Sequence, residues 1–358
     1  MRASEEACLA AWRREGLLRR DDHASIYAYE QAYPRPDGRE MRHQRGIFAA
    51  LALEPFGPSG GVLPHERTLG GPKADRLALL RATAADLSPI VGLFRSSPGL
   101  AGSSNEDLIG GLTAVPSDME ACDDDGVRHR LWVVDTEAGS RAEAARAWLA
   151  RAGASTITIA DGHHRYETAL AYRAERPAAD DILALLFDVA STDLTVLPTH
   201  RLVRAQPAGS DLLALAAHDF ELVELPSGEA LLAAMAKPPE RRRIGLYSAG
   251  QAALLYPRSS QRTDVLGDLD VSVLAAALDT LHGIDAEATA EGRVAYTKDA
   301  GEAIAAVGRG EVDSAFLLDA TPVEAVLAVA AAGQLMPQKS TYFYPKPATG
   351  LVFHVPGG

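Results

Sequence analysis

The run Ile157-Thr158-Ile159-Ala160-Asp161-Gly162-His163-His164-Arg165-Tyr166-Glu167-Thr168-Ala169-Leu170 sets the class of the molecule. Its first residues are apolar and β-branched, as a buried strand requires, and Gly162 gives a turn before a stretch with helical spacing. A strand that feeds a helix through a glycine turn presents unpaired helix amides and a positive dipole end to whatever lies beyond it. That arrangement binds phosphate. Gly162 lets a ligand approach the backbone closely, and His163, His164 and Arg165 add donors in the first turn. Asp161 is placed to hold a magnesium ion or to orient a hydroxyl. A purely structural reading makes Asp161 an N-cap, the histidines surface residues and Arg165 a partner for Glu167 or another carboxylate. Three adjacent donors on one turn favour binding. A zinc site made of Asp161, His163 and His164 is disfavoured, because adjacent helical residues point about 100° apart.

Outward from this run, strands and helices alternate. Upstream, the patterns predict a strand at 131–134, a helix at 141–151 and a strand at 155–160; downstream, a helix at 163–173 and a strand at 182–189. Such alternation implies α/β layers. Nearer the N-terminus, residues 25–33 and 46–53 read as two strands joined through the turn residues Pro36-Asp37-Gly38. A helix is expected over 73–87, ended by Pro89, then a strand over 89–94 and a Ser/Gly/Asn-rich loop over 96–111. After Pro198 a second alternation begins, with helices near 211–217, 271–281 and 300–307 and strands at 221–225, 242–248, 294–297 and 314–318. The expected organisation is a nucleotide-binding α/β part over 1–200, a second α/β part over 201–335, and a C-terminal segment, 336–358, that returns to the first.

Composition narrows the partners. The 358 residues predict about two domains, and 35 Lys+Arg against 48 Asp+Glu leave a net charge of -13. Such a surface repels nucleic acid and anionic lipid, so an anion needs a local site. Two cysteines, Cys8 and Cys122, suit neither a disulfide framework nor a metal pair, and no apolar stretch reaches membrane length. A cytoplasmic protein with a small-molecule partner is the expectation, with oligomeric state left open.

Two further clusters are candidates. Pro64-His65-Glu66-Arg67-Thr68, with Lys73, Asp75 and Arg76, gathers acid, base and hydroxyl on a loop. Lys339-Ser340-Thr341 resembles a phosphate-contacting loop in composition, although no Walker glycines precede it. Its alternative is an edge strand at 342–344 between prolines. Only five lysines occur, and Lys339 and Lys346 are two of them.

Together with Leu87-Ser88-Pro89 and the motif running from Met336 to Lys346, these residues resemble the domain of unknown function 1015 family. The likeness runs from about residue 17 to residue 354, with the motifs in the family's order. The Asp161 to Arg165 run is also similar to an element of free serine kinases and to the phosphate turn of sulfiredoxin, which share a fold with the nucleotide-hydrolysing domain of ParB. The resemblance implies a ParB/sulfiredoxin-like part whose turn binds nucleotide phosphates. It also implies ATP- or ADP-dependent phosphoryl transfer to a hydroxylated metabolite such as free serine. Mg2+, Asp161, Gly162, His163, His164 and Arg165 would neutralise charge, with His65, Arg67, Lys339, Ser340 and Thr341 as further binding residues. Glu66 or Asp161 would accept the hydroxyl proton, with His164 beside them. The family further carries a Pro-Pro-Tyr-Asp-Val-like motif ahead of the point where this sequence starts. Hence the alternative of a truncated nucleotide-binding switch without turnover; a third, a metal-dependent hydrolase, would use Asp161, His163 and His164.

Overall fold

The computed structural model describes residues 2–35, 38, 40–57, 60–67, 71–96, 103–192, 194–204, 212–258, 264–267, 269–284 and 289–357. Two units emerge, the first made of residues 1–64, 68–195 and 343–358, the second of 65–67 and 196–342. The borders expected near 200 and 335 thus fall at 195/196 and 342/343. Residues 65–67 join the second unit because Met336 N donates to His65 O at 2.8 Å and Arg67 N donates to Met336 O at 3.3 Å.

In the first unit, helix α1 (Arg2–Arg14) precedes a long hairpin of β1 (Ser25–Pro34) and β2 (Met41–Ala52), paired from Tyr27 opposite Phe48 to Pro34 opposite Met41. The expected turn residues Pro36 and Asp37 lie outside the described residues. Then come β3 (Val62–Leu63), α2 (Gly71–Thr83), β4 (Ile90–Phe94), α3 (Asn105–Leu112), β5 (Met119–Cys122), β6 (Arg128–Asp135), α4 (Ala142–Gly153), β7 (Ile157–Asp161), α5 (His163–Glu175) and β8 (Asp181–Asp188). Among the described residues, eight strands form one mixed sheet in the order β3-β7-β4-β8-β2-β1-β6-β5. This is the mixed α/β class expected from the sequence.

Strand periodicity decides which side chains meet the helices. Ile26, Ala28, Ile47, Ala49, Ile90, Ile157 and Ile159 share one core with Ile109 and Leu112 of α3, Trp148 of α4 and Tyr166 of α5. Trp148 meets Phe94 edge to face at 5.2 Å, a geometry aromatic quadrupoles favour. Alternate residues point to the other face, where Tyr29 and Gln31 of β1 receive residues 346–348 through hydrogen bonds.

Helix α3 lies inside the span expected to be a loop. Its start is a capping box: Ser104 Oγ accepts Asp107 N at 3.0 Å and Ser104 N donates to Asp107 Oδ2 at 2.8 Å. Burial of Asn105, Ile109 and Leu112 then overrides the Gly110-Gly111 pair. Residues 97–102 of that expected loop lie outside the described residues.

Strands β9 (Thr195–Leu197) and β16 (Tyr342–Tyr344) contain the borders at 195/196 and 342/343. In the second unit, among the described residues, β10 (His200–Val203), β11 (Phe220–Leu225), β12 (Ile244–Ser248), β13 (Gln251–Pro257), β14 (Val294–Thr297) and β15 (Ser314–Leu317) form an antiparallel sheet ordered β11-β13-β12-β15-β10-β14. Its helices are α6 (Leu212–Ala216), α7 (Gly228–Met235), α8 (Asp270–His282), α9 (Ala300–Gly308) and α10 (Val323–Ala331). Leu231 of α7 and Ala303 of α9 pack with Leu254 and Leu317. No helix among the described residues is long and apolar enough to cross a membrane.

Candidate functional site

Strand β7 ends at Asp161, and Gly162 turns the chain into α5 with φ +93°, a conformation that costs a residue with a Cβ. No side chain among the described residues caps the helix. A Cβ at 162 would lie 2.9 Å from Arg165 Nε, 3.0 Å from Arg165 Nη2 and 3.0 Å from Ile90 Cγ2. The close approach expected of a ligand is therefore made by the protein itself: the Arg165 guanidinium folds back over Gly162. Gly162→Ala is expected to lose about 1–3 kcal/mol of stability from the left-handed backbone and the displaced guanidinium. Urea unfolding checks this, and an unchanged midpoint would mean that the turn relaxes freely.

The charges converge on one carboxylate. Asp161 Oδ2 receives Arg165 Nη2 at 2.5 Å, and its Oδ1 receives Lys346 Nζ at 2.5 Å. Arg165 Nη1 donates to Ser88 Oγ at 2.8 Å, while Arg165 Nε is buried with no hydrogen-bond partner among the described residues. Burial alone would raise the Asp161 carboxyl, but the Lys346 and Arg165 charges outweigh it and hold the group below the usual carboxylate range. Burial likewise pulls Arg165 down, against the attraction of Asp161.

This geometry bears on two roles expected of Asp161. An ionised Asp161 between two cations is a poor proton acceptor, so it does not suit the role of base. It does not suit a resident Mg2+ either, because both oxygens face cations that an entering dication would have to displace. Among the described residues no three His, Cys, Asp or Glu side chains are grouped to hold a metal ion. Asp161 bonds to both Arg165 and Lys346.

His163 is buried within the unit, at 8% exposure, rather than displayed at the surface. His164 is half-buried at the next position, and its carbonyl accepts Thr168 Oγ1 at 2.7 Å. Beside Asp161 a cavity of 10 Å³, room for about one water, is bordered by Gln44, Val91, Thr195, Phe343 and Lys346.

The candidates at 65–67 and 339–341 gather in the second unit. His65 is fully buried, with Nε2 at 3.0 Å from Thr341 Oγ1. Glu66 Oε2 accepts Ser340 N at 3.2 Å, and Ser340 Oγ donates to Pro337 O at 2.6 Å. The Ser340 and Thr341 hydroxyls, expected to contact phosphate, are thus engaged inside the unit. They hold the loop in shape. Lys339 is exposed at φ +57°, and Arg67 is exposed beside its backbone bond to Met336. Burial raises the Glu66 carboxyl, with the 339 and 340 amides and the Lys339 and Arg201 charges opposing. Of the two carboxylates proposed as bases, Glu66 has the stronger hold on a proton. Asp75 and Arg76 lie on the exposed side of α2; Thr68 and the Lys73 side chain lie outside the described residues.

Sequence reasoning assigned no site role to two contributors, Lys346 and Ser88. Lys346 stood out as one of five lysines, but its 185-residue separation from Asp161 hid the pairing. Ser88, within a recognised motif, fixes the second arm of Arg165. Arg201 is buried in the second unit, with Nη2 donating to Lys339 O at 3.2 Å and its guanidinium 5.5 Å from the Tyr296 ring centre. Burial brings it down to about 10.

The family described as protein of unknown function (DUF1015) matches residues 3–272 of the sequence. No curated protein matches it. Among solved structures, free serine kinase in complex with AMP is similar at 16% identity, covering 83% of this chain and 86% of that one, with a TM-score of 0.42. A conserved hypothetical protein from Pyrococcus furiosus is similar at 13% identity, covering 85% and 92%, with a TM-score of 0.41. SbnI with C-terminal truncation from Staphylococcus aureus is similar at 9% identity, covering 84% and 85%, with a TM-score of 0.42.

Proposed function

We propose, for a chain that belongs to the DUF1015 family of proteins of unknown function, that it is a nucleotide-dependent small-molecule kinase. It takes ATP or ADP and phosphorylates a hydroxylated metabolite such as free serine. One observation carries this reading: two cations, Arg165 and Lys346, are held at 2.5 Å on one carboxylate at the uncapped N-terminus of α5. Phosphoryl transfer asks for charge neutralisation and alignment more than for a strong nucleophile. Arg165 offers a planar fork and Lys346 a compact charge, and both are already oriented before a ligand arrives. Any magnesium would travel with the nucleotide, since Asp161 does not suit it, and no step is assigned to the ion.

The second reading, a nucleotide-binding switch without turnover, is favoured by the single-water size of the cavity at the turn. Incubation of the purified chain with radiolabelled ATP or ADP, with serine and with other hydroxylated acceptors separates the two. The kinase reading expects a phosphorylated acceptor. Nucleotide at about 100 times its Kd should also stabilise the fold by roughly 2.7 kcal/mol in thermal unfolding. Stabilisation without product with either nucleotide would leave the switch and end the kinase. No stabilisation would end both.

A further inference from the structure

Helices α2 and α5 lie side by side in the first unit and run the same way. Leu77 and Leu80 of α2 pack with Tyr172 of α5, and about one turn further along both helices Arg81 Nε donates to Glu175 Oε2 at 2.9 Å. Contacts that advance together along two helices require parallel axes. The start of α2 at Gly71 and the start of α5 at His163 therefore lie toward the same end of the pair. That end holds the Gly162 turn, with Arg165 bonded to Asp161 and Ser88, and Lys346 bonded to Asp161.

Arg76 stands one position before Leu77, on the exposed side of α2. Helical side chains lean toward the N-terminus of their own helix, so a long one at 76 extends toward the end where the turn lies. Its charge reaches Arg165. Burial acts on that guanidinium most, the attraction of Asp161 opposes it, and the repulsion of Arg76 comes next, ahead of the attraction of Asp86. The packing of α2 does not call for a cation at 76, because Leu77 and Leu80 make the contact with α5. Nor is Arg76 tied to a carboxylate, since it has no hydrogen bond or ion pair among the described residues. One guanidinium held near another is unfavourable in the protein alone. The pair becomes favourable when a polyanion lies between its members. In a chain of net charge -13, such a concentration of positive charge is a local device and not a general property of the surface.

We propose that Arg76 is a specificity-determining residue, contacting the second phosphate of a polyphosphate whose neighbouring phosphate meets Arg165 at the Gly162 turn. The assignment rests on the nucleotide reading above and narrows it: the site prefers nucleoside di- and triphosphates to monophosphates. A monophosphate satisfies Arg165 and leaves Arg76 in water. A diphosphate bridges the two guanidiniums and relieves their repulsion.

Titration calorimetry of the full chain with ADP, AMP and inorganic pyrophosphate tests this in the parent and in Arg76→Gln. The parent should bind ADP about tenfold or more tightly than AMP, and R76Q should raise the Kd of ADP and of pyrophosphate about tenfold while changing that of AMP by under about twofold. Position 76 is exposed, so R76Q should unfold at the parent's temperature. In the parent, the preference for ADP over AMP should shrink between about 0.05 M and about 0.5 M NaCl, as an exposed charge is screened, and R76Q should lack most of that change. An R76Q protein that keeps the parent's ADP-to-AMP ratio, or that loses both nucleotides equally, overturns the assignment. If the parent binds neither nucleotide, the nucleotide reading falls and pyrophosphate alone decides. Pyrophosphate held about tenfold less tightly by R76Q would uphold Arg76 as a polyphosphate contact; equal binding, or none to the parent, would end it.

Discussion

Arg165→Ala is expected to weaken ADP binding by about 2–4 kcal/mol, a rise in Kd of roughly 30- to 1,000-fold. The size follows from what the guanidinium does. It is partly buried, bonded to Asp161 and Ser88, and keeps one donor, Nε, without a partner among the described residues. A buried charge-assisted contact to phosphate is strong because little water competes for it. Arg165→Lys should recover only part of the loss, since an ammonium cannot span Ser88 Oγ and Asp161 together. Asp161 retains Lys346 in either variant, so the turn keeps a counter-ion and the effect belongs to binding. Titration calorimetry at low salt, with thermal unfolding to confirm the fold, decides the matter. An unchanged Kd in R165A would remove the turn from nucleotide binding.

How much of this was legible in the sequence depends on the distance over which each feature is encoded. The β7–Gly162–α5 passage is local: β-branched residues, a glycine and a helical period lie within fourteen positions, and all appear as expected. Helix α3 is local too, but its glycines argued for a loop, and only the Ser104 to Asp107 spacing carried the opposite signal. The site's charges are another matter. Nothing in the Asp161 run announces Lys346, because an ion pair between a strand end and a C-terminal arm leaves no periodicity. Composition is equally silent about what Ser340 and Thr341 meet. A hydroxyl beside a lysine has the same residue type whether it meets a phosphate or, as here, Pro337 O and His65.

The second unit carries a carboxylate whose cost the sequence also concealed. Asp270 opens α8 with Arg242 Nε 4.0 Å from its Oδ1, while Arg243 is bonded to Asp319. Burial pushes the Asp270 carboxyl up from 3.8 to about 7; the nearby Asp319 adds to this, and Arg242 and Arg243 oppose it. Because the folded value lies above the unfolded one, the fold favours the protonated form. Stability is therefore fully present below about pH 4 and falls as pH rises to about 7. A shift of that size corresponds to roughly 4 kcal/mol at 1.36 kcal/mol per unit, and the favourable dipole at a helix start offsets part of it. Asp270→Asn, which cannot ionise, should match the parent at pH 4 and exceed it by about 2–4 kcal/mol at pH 8 in urea unfolding. Asp86 in the first unit, raised by burial to about 6, titrates over an overlapping range in both proteins and cancels in the difference. Parallel pH profiles for parent and D270N would mean that Asp270 is ionised in the fold across the whole range, with Arg242 and Arg243 outweighing its burial.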